Sequence, residues 1–479
     1  MFKKTFSVLL VSTVTAVQLL VAPAAFAAQK QETAQTQLNE VYELIGKLHV
    51  SGISNNKLTE SAIQGMISTL DDPYTVYMNA DEFKRFNDDL EQNYVGIGVR
   101  VGEDEQGMYI TEVFSGSSAE GASLQPGDYV TAVEGQSVIG LPSAEIINQI
   151  TGTEGTFVNV TFQRGTEAFT KKLERKAVKV PVVTSSLLSG HVGYIRVSSF
   201  SQDADELFAQ ALAELKKQGA RSLVLDLRDN GGGLLDTAQN LAKQFFREGV
   251  LMNTKDRDNI GQTVTVSGGQ DLGIPAVVLV NSYSASASEV LTGALQDYDI
   301  AKIIGTRTFG KGSVQSVHML SGGAVLKITI EEYMTPKLRQ VNKKGLEPDV
   351  LVENSEAQLV TALWEAGADQ VSVTADKHYV EVNGLKQPDT RVYLEQDAHV
   401  YAPVRLLAAL AGATVKWNEE ENGVELLLGD SSTLLPMSAE YMQFAYNGAY
   451  IDVAEFASRF PQLEWSKNGE QLRLAVKGK

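Results

Sequence analysis

Leu223-Val224-Leu225-Asp226-Leu227-Arg228-Asp229-Asn230-Gly231-Gly232-Gly233 decides how this chain is read. Its first five residues form an apolar, buried strand, and the remainder is a glycine-rich loop. Upstream, Leu207, Phe208, Ala211, Leu212 and Leu215 make a helical stripe that Gly219 ends. Downstream, residues 234–246 read as a helix, Ala276 to Val280 as a second buried strand, residues 285–296 as a second helix and residues 301–304 as a third strand. Such alternation predicts a largely parallel sheet covered by helices. Chemistry in these sheets gathers in loops beyond the carboxyl ends of the strands, here residues 228–233 and 281–286.

The whole chain has 479 residues, enough for three or four domains. Residues 36–92 carry apolar positions at steps of three and four, with Leu38, Val41, Tyr42, Ile45 and Leu48 followed by Leu58, Ile63, Met66, Ile67 and Leu70, and read as paired helices. From Tyr94 to about Lys179, short β-rich runs alternate with Gly, Ser and Pro turns around one helix at residues 144–150, which fits a small barrel-like module. After about Ala368 the pattern turns β again. Val382-Asn383-Gly384 and Tyr446-Asn447-Gly448 each precede a helical stretch and a strand bearing Trp417 or Trp465, so the two halves look like a degenerate repeat. The fold class is therefore multidomain α/β: a helical segment (28–92), a β-rich module (93–178), an α/β core (179–367) and a β-rich repeat domain (368–479).

Residues 1–27 read as an export leader, with Lys3 and Lys4, an apolar stretch from Phe6 to Val21, and Ala25-Phe26-Ala27 as a small-x-small cleavage site. A retained anchor helix is the alternative. Net charge is −18, which argues against nucleic acid or an anionic membrane as the main partner. Mean hydropathy of −0.10 fits a soluble folded chain. With no cysteine there is no disulfide framework, thiolate metal site or cysteine nucleophile, and no His/Asp/Glu cluster stands at ligand spacing, so neither metal nor cofactor is expected.

Ser284-Ala285-Ser286-Ala287-Ser288-Glu289 opens a helix directly after a buried strand, where main-chain N–H groups face whatever the serine binds. That suits an acyl-transfer nucleophile, and plain helix capping is the structural alternative. Phe309-Gly310-Lys311-Gly312 sets one lysine between two glycines after the third strand. Burial lowers a lysine's pKa toward neutrality, and a neutral amine can take a serine's proton without any histidine. Residues 305–312 match a phosphate loop through G-x-x-x-x-G-K, but Gly312 lacks the hydroxyl that would hold magnesium. No G-x-S-x-G occurs, and His191 and His318 sit in strand-like settings, which excludes the histidine-dependent hydrolase pattern.

Taken together, Ser286, Lys311 at 25 positions on, Glu289, Gln315 and the 227–233 loop resemble the carboxy-terminal processing peptidases. The resemblance extends through residues 70–75 and 345–349 and covers about residues 36–352. It implies a Ser286/Lys311 dyad with Gln315 orienting the lysine and Glu289 supporting the site, and oxyanion donors from Ala287 and the Gly231-Gly232 turn. It also implies a homodimer formed through the helical segment, and roles in envelope quality control or release of a sporulation signal. Tyr94-Val95-Gly96-Ile97-Gly98-Val99 resembles the carboxylate-binding loop of a PDZ domain, so the partners expected are proteins or peptides with a free C-terminus. Residues 377–430 resemble the repeat named after the amino-terminal part of copper amine oxidases, with no copper site implied. Ser321-Gly322-Gly323 and Thr151 depart from the family pattern, at positions tied to gating between the PDZ domain and the active site. The reading is an exported serine endopeptidase, secreted or cell-envelope associated. The rival from another class is a catalytically silent PDZ scaffold.

Overall fold

The computed structural model describes residues 22–104, 106–376, 380–387, 393–396, 399–445 and 448–478. Most of the proposed leader, together with Tyr446 and Asn447 of the second repeat, lies outside the described residues. The chain forms two compact units. One gathers residues up to Asn79 with residues 317–328, and the other holds residues 80–316 and 329–479.

In the first unit, helices Ala22–Leu48 and Asn55–Ile67 are tied by the Tyr42 hydroxyl, which lies 3.1 Å from the Asn55 carbonyl oxygen and 2.9 Å from the Thr59 hydroxyl. Their apolar stripe is poorly covered: Leu38, Val41, Leu44 and Leu48 are all exposed, and no residue of Asn55–Ile67 is buried. The unit closes where Val76–Met78 pairs antiparallel with residues 325–327. The helical pattern is expected to break at Asp71-Asp72-Pro73, and the chain does turn there, at Asp71 (φ +48°); within the segment expected to stay helical to residue 92 it then forms that short strand before a third helix, Ala80–Leu90, in the second unit.

The second unit begins with the PDZ module. Its sheet runs in the order 99–104, 107–113, 129–133, 157–164, 167–174, so Val99–Asp104 is an edge strand. The helix Ser143–Ile150 buries Ile146 and Ile150 in the module's own core, alongside Val158, Val160 and Phe162.

The core is a six-stranded sheet in the order Val183–Leu188, Val192–Val197, Ser222–Asp226, Ala276–Val280, Ala301–Gly305, Val350–Leu351. The last five strands are parallel and the first is antiparallel to its neighbour. Spatial order follows sequence order. Right-handed crossovers in a sheet wound in one direction place their helices on a single face. Helices Ala204–Lys217, Leu235–Ala242 and Ala287–Asp297 accordingly pack with Leu223, Leu225, Val278 and Ile303. Val224, Val277, Leu279 and Ile304 point the other way and would be left bare.

The rest of the chain covers them. Helix Ser355–Glu365 follows the last strand and buries Leu359, Val360 and Leu363, and these join Val371, Leu407 and Phe456 of the repeat domain in one continuous core with the sheet. Its buried residues, which include Glu356 and Gln358, spread over more than one face of the helix, as expected when an element is covered on several sides. Each repeat is a strand, a helix (Val404–Leu410, Val453–Arg459) and a Trp-bearing hairpin in which Trp417 faces Val424 and Trp465 faces Leu474. The repeat domain is thus the second cover of the parallel sheet.

Two element limits differ from the reading for local reasons. The helix expected over 285–296 starts at Ala287, because Ser286 sits at φ +56° and cannot be helical. The helix expected to reach residue 246 stops at Ala242 in tighter turns. Among the described residues, no helix is long and apolar enough to cross a membrane.

Candidate active site

Because the strands are parallel, the loops 227–233, 281–286 and 306–312 all leave at the carboxyl edge of the sheet. They are stitched together by their own polar groups. Asn281 bonds Asp229 twice, its Oδ1 accepting the Asp229 N–H at 3.0 Å and its Nδ2 donating to the Asp229 carboxylate at 2.7 Å. The Asn230 carbonyl accepts from the Ala285 N–H (3.0 Å) and the Ser288 hydroxyl (2.9 Å). The Phe309 N–H donates to the Ser284 carbonyl at 3.0 Å.

The serines separate on chemistry. Ser284 and Ser288 are fully buried and commit their hydroxyls to the carbonyls of Leu227 and Asn230. Ser286 between them keeps part of its surface exposed. Its backbone, at φ +56° and ψ −117°, occupies a conformation that costs an L-residue about 1–3 kcal/mol and that marks functional turns. The chain thus makes a sharp strand-to-helix turn at Ser286, flanked by the small residues Ser284 and Ser288.

Glu289 clamps two of the loops. Its carboxylate, fully buried, accepts from the main-chain N–H groups of Ser286 (3.0 Å), Gly310 (2.8 Å) and Lys311 (2.9 Å) and from the Thr308 hydroxyl (2.5 Å). Burial pushes its pKa up, and the donated hydrogen bonds pull against that rise. Thr308 in turn accepts the Leu346 N–H at 2.7 Å. On the opposite side, the Tyr333 hydroxyl lies 3.1 Å from the Ser286 carbonyl oxygen and 2.9 Å from that of Lys311. Ser286 and Lys311 are therefore held by their N–H groups on one residue and by their carbonyls on another.

Gly232 lies against Ser286. At φ +104°, a Cβ added there would stand 2.8 Å from Ser286 Cβ and 3.0 Å from the Ala287 nitrogen. Its own N–H donates to Asn230 Oδ1 at 2.9 Å, while Asn230 Nδ2 donates to the Val197 carbonyl at 2.8 Å. Of the glycine pair expected to offer N–H groups, Gly232 has its own N–H engaged by Asn230 and lies in close contact with Ser286. Ala287 is the first residue of the helix, where a main-chain N–H has no partner within the helix. Lys311 is partly exposed. Gln315, expected to orient it, donates its amide to Ser313 Oγ at 2.8 Å and, more weakly, to Thr329 Oγ1 at 3.4 Å. His191 closes a tight turn at φ +59° and His318 lies on the strand Ser313–Met319, neither of them part of the constellation described.

Asn230, Thr308 and Tyr333 were not singled out from the sequence. An Asn inside an Asp-Asn-Gly turn is a detectable signal, since its side chain bonds the backbone two residues on. Tyr333, 47 positions from Ser286, carries none.

In the PDZ module, Tyr94, Val95 and Gly96 pair with Val178, Ala177 and Lys176, and Ile97 and Gly98 turn the chain into the edge strand. Gly98 is obligatory: at φ +84° an added Cβ would lie 2.1 Å from Ser117 Cβ. Between this edge and the helix Ser143–Ile150 lies a cavity of about 200 Å³, lined by apolar groups including Ile97, Val99, Ile147 and Ile150.

Replacing Gly232 by Ala should push the added methyl into the Ser286 turn and lower kcat by about 10²-fold, the scale of a lost oxyanion contact. Steady-state kinetics beside a thermal melt checks this, and a variant that melts normally yet turns over normally would contradict it.

Known proteins resemble this chain along most of its length. The signature of peptidase family S41 matches residues 191–352, that of the PDZ domain residues 85–163, and that of the activating protease CtpB N-terminal domain residues 12–82. A "Probable CtpA-like serine protease" of Staphylococcus epidermidis is 35% identical over 362 residues, 74% of this chain and 73% of that protein. Its counterpart in Staphylococcus aureus is 33% identical over 411 residues, 83% of this chain and 82% of that protein. Among solved structures, the photosystem II D1 C-terminal processing protease is similar at 29% identity over 70% of this chain and 97% of its own, with a TM-score of 0.44. Identity at this level along most of both chains places the protein in a family: it belongs to the S41 peptidases, as a PDZ-bearing, CtpA-like carboxy-terminal processing protease.

Proposed function

We propose that this serine protease is an exported endopeptidase that holds the free C-terminus of a protein substrate in its PDZ groove and cleaves with a Ser286/Lys311 dyad. The Lys311 amine removes the Ser286 hydroxyl proton as Oγ attacks the scissile carbonyl. The developing oxyanion takes hydrogen bonds from the N–H groups of Ala287 and Gly231. The resulting Lys311 ammonium returns the proton to the leaving amine, and water then hydrolyses the acyl-enzyme by the same route. Glu289 keeps the two loops in register, and Gln315, four residues beyond Lys311, orients the lysine. The single observation that carries this reading is the double clamp of Ser286 and Lys311 by Glu289 and Tyr333.

The PDZ part rests on the apolar groove beside a free sheet edge, where a peptide can add as a strand while loop N–H groups meet its carboxylate. Substrates reached after export are cell-envelope or secreted proteins, in quality control or in release of a signal. A denatured protein with an apolar C-terminus should be cut by the wild type and by neither Ser286→Ala nor Lys311→Arg, whose guanidinium stays protonated. Amidating that C-terminus should raise KM and leave the cleavage site unchanged. Equal cutting by wild type and Ser286→Ala would leave only the scaffold reading, and unchanged kinetics with the amide would remove the PDZ recruitment step.

The exposed stripe Leu38, Val41, Leu44 and Leu48 supports a homodimer formed through the N-terminal helices. Deleting residues 28–70 should lower the mass measured by light scattering to that of one chain; an unchanged dimer mass would place the interface elsewhere.

A further inference from the structure

The strand Ser222–Asp226 contains one charge, and it is fully buried. Asp226 lies on the sheet face that carries Val224, the face covered by the helix Ser355–Glu365 and the repeat domain. Two residues on, Arg228 points the same way and is 2% exposed. It opens the loop that ends in the oxyanion turn.

Every donor of the Arg228 guanidinium is assigned. Nε and Nη2 bond the two Asp226 oxygens at 2.9 and 2.6 Å, and Nη1 bonds the carbonyl and hydroxyl of Ser355 at 2.8 and 3.1 Å. The last N–H, on Nη2, donates to Gln387 Oε1 at 3.2 Å. Gln387 is buried, and it sits on the short strand Leu385–Gln387, held in register by pairing with Val380 in the repeat domain. Tyr194 closes the cluster by donating to Asp226 at 2.7 Å. From Arg228 the loop continues directly to Asp229 and Asn230, whose bonds to Asn281, Ala285, Ser288 and Gly232 set the position of Gly231 against Ser286.

We infer that Gln387 is a positioning residue for the protease: through Arg228, the repeat domain sets the placement of the oxyanion turn and is a working part of the active site as well as a cover. The chemistry follows from burial. A guanidinium enclosed by protein keeps one geometry only while each N–H has an acceptor, and withdrawing one acceptor makes the side chain shift to find another. Any such shift moves the main chain of residues 228–231. The inference rests on the assignment of Ser286 as nucleophile and of the Gly231 turn as oxyanion donor.

The test is steady-state kinetics together with the rate at which a fluorophosphonate labels Ser286, in the full-length chain carrying Gln387→Leu or Gln387→Glu. Leu keeps the volume and removes the acceptor, whereas Glu keeps an acceptor. Gln387→Leu should lower kcat and the labelling rate in parallel by about tenfold with KM within twofold of wild type, and Gln387→Glu should restore both. A Gln387→Leu variant with a lowered melting temperature but wild-type kcat and labelling would make Gln387 structural only and overturn the inference. If Gln387→Leu does not fold, Gln387→Asn withdraws the same oxygen by one methylene and is read the same way. Failure of both to fold while Gln387→Glu folds also assigns a purely structural role. Absence of Ser286 labelling in the wild type would instead overturn the nucleophile assignment.

Discussion

Glu289 accepts four hydrogen bonds from a fully buried position, and the two loops that carry Ser286 and Lys311 depend on it. A carboxylate is suited to this task because it only accepts, and the groups needing partners are three main-chain N–H groups and a hydroxyl. Ionising it away from water is costly, which is why its pKa is pushed up even with four donors present. Tyr333 completes the restraint from the carbonyl side. The strained Ser286 backbone persists because both of its peptide groups are held. The loops that carry Ser286 and Lys311, 25 residues apart in sequence, are thus held together by shared hydrogen bonds.

A second constraint comes from winding. A sheet whose strands follow in order, with crossovers of one hand, has its helices on one face and needs a separate cover for the other. Here that cover is the helix Ser355–Glu365 and the repeat domain. The buried Asp226–Arg228 pair lies at this junction. Burial alone would raise the Asp226 carboxyl, and the Arg228 charge and hydrogen bonds, with Arg196 and Tyr194, hold it down at about 2. Because the folded value lies below the ~3.9 of a free aspartate, the pair's contribution is complete above that value and fades as pH falls toward about 2. Such pairs add little net stability when intact, yet removing one partner costs roughly 3–5 kcal/mol. Their value is geometric: one arrangement satisfies all the groups.

The sequence makes legible what is periodic or local. The strand Ala276 to Val280, the repeated Trp-bearing hairpins and the glycine loop after Asp226 follow from apolar runs and turn residues, and Ser286 and Lys311 are singled out by their resemblance to a family motif. What stays hidden is long-range or set by tertiary forces. Asp226 falls inside a run read as an apolar strand, and Gln387, which bonds its partner Arg228, stands 159 positions from that arginine with no pattern linking them. The helix start at Ala287 is displaced by backbone strain at Ser286 that no propensity encodes. Gly232 is legible as a glycine in a turn, but its N–H is taken by Asn230, a detail of side-chain geometry. The role of the repeat domain as a sheet cover depends on the hand of the crossovers, which composition does not carry.

The account's central claim is that Ser286, Ala287 and Gly231 form one acyl-transfer site held in place before substrate arrives. A crystal structure of the full chain with a fluorophosphonate bound covalently to Ser286 Oγ tests it most directly. The account predicts the phosphonyl oxygen within hydrogen-bond distance of the Ala287 and Gly231 nitrogens, Gly232 N–H still on Asn230, and the Glu289 and Tyr333 bonds unchanged. A phosphonyl oxygen turned away from both nitrogens, or a loop that had to release Asn230 or Glu289 to reach it, would contradict it.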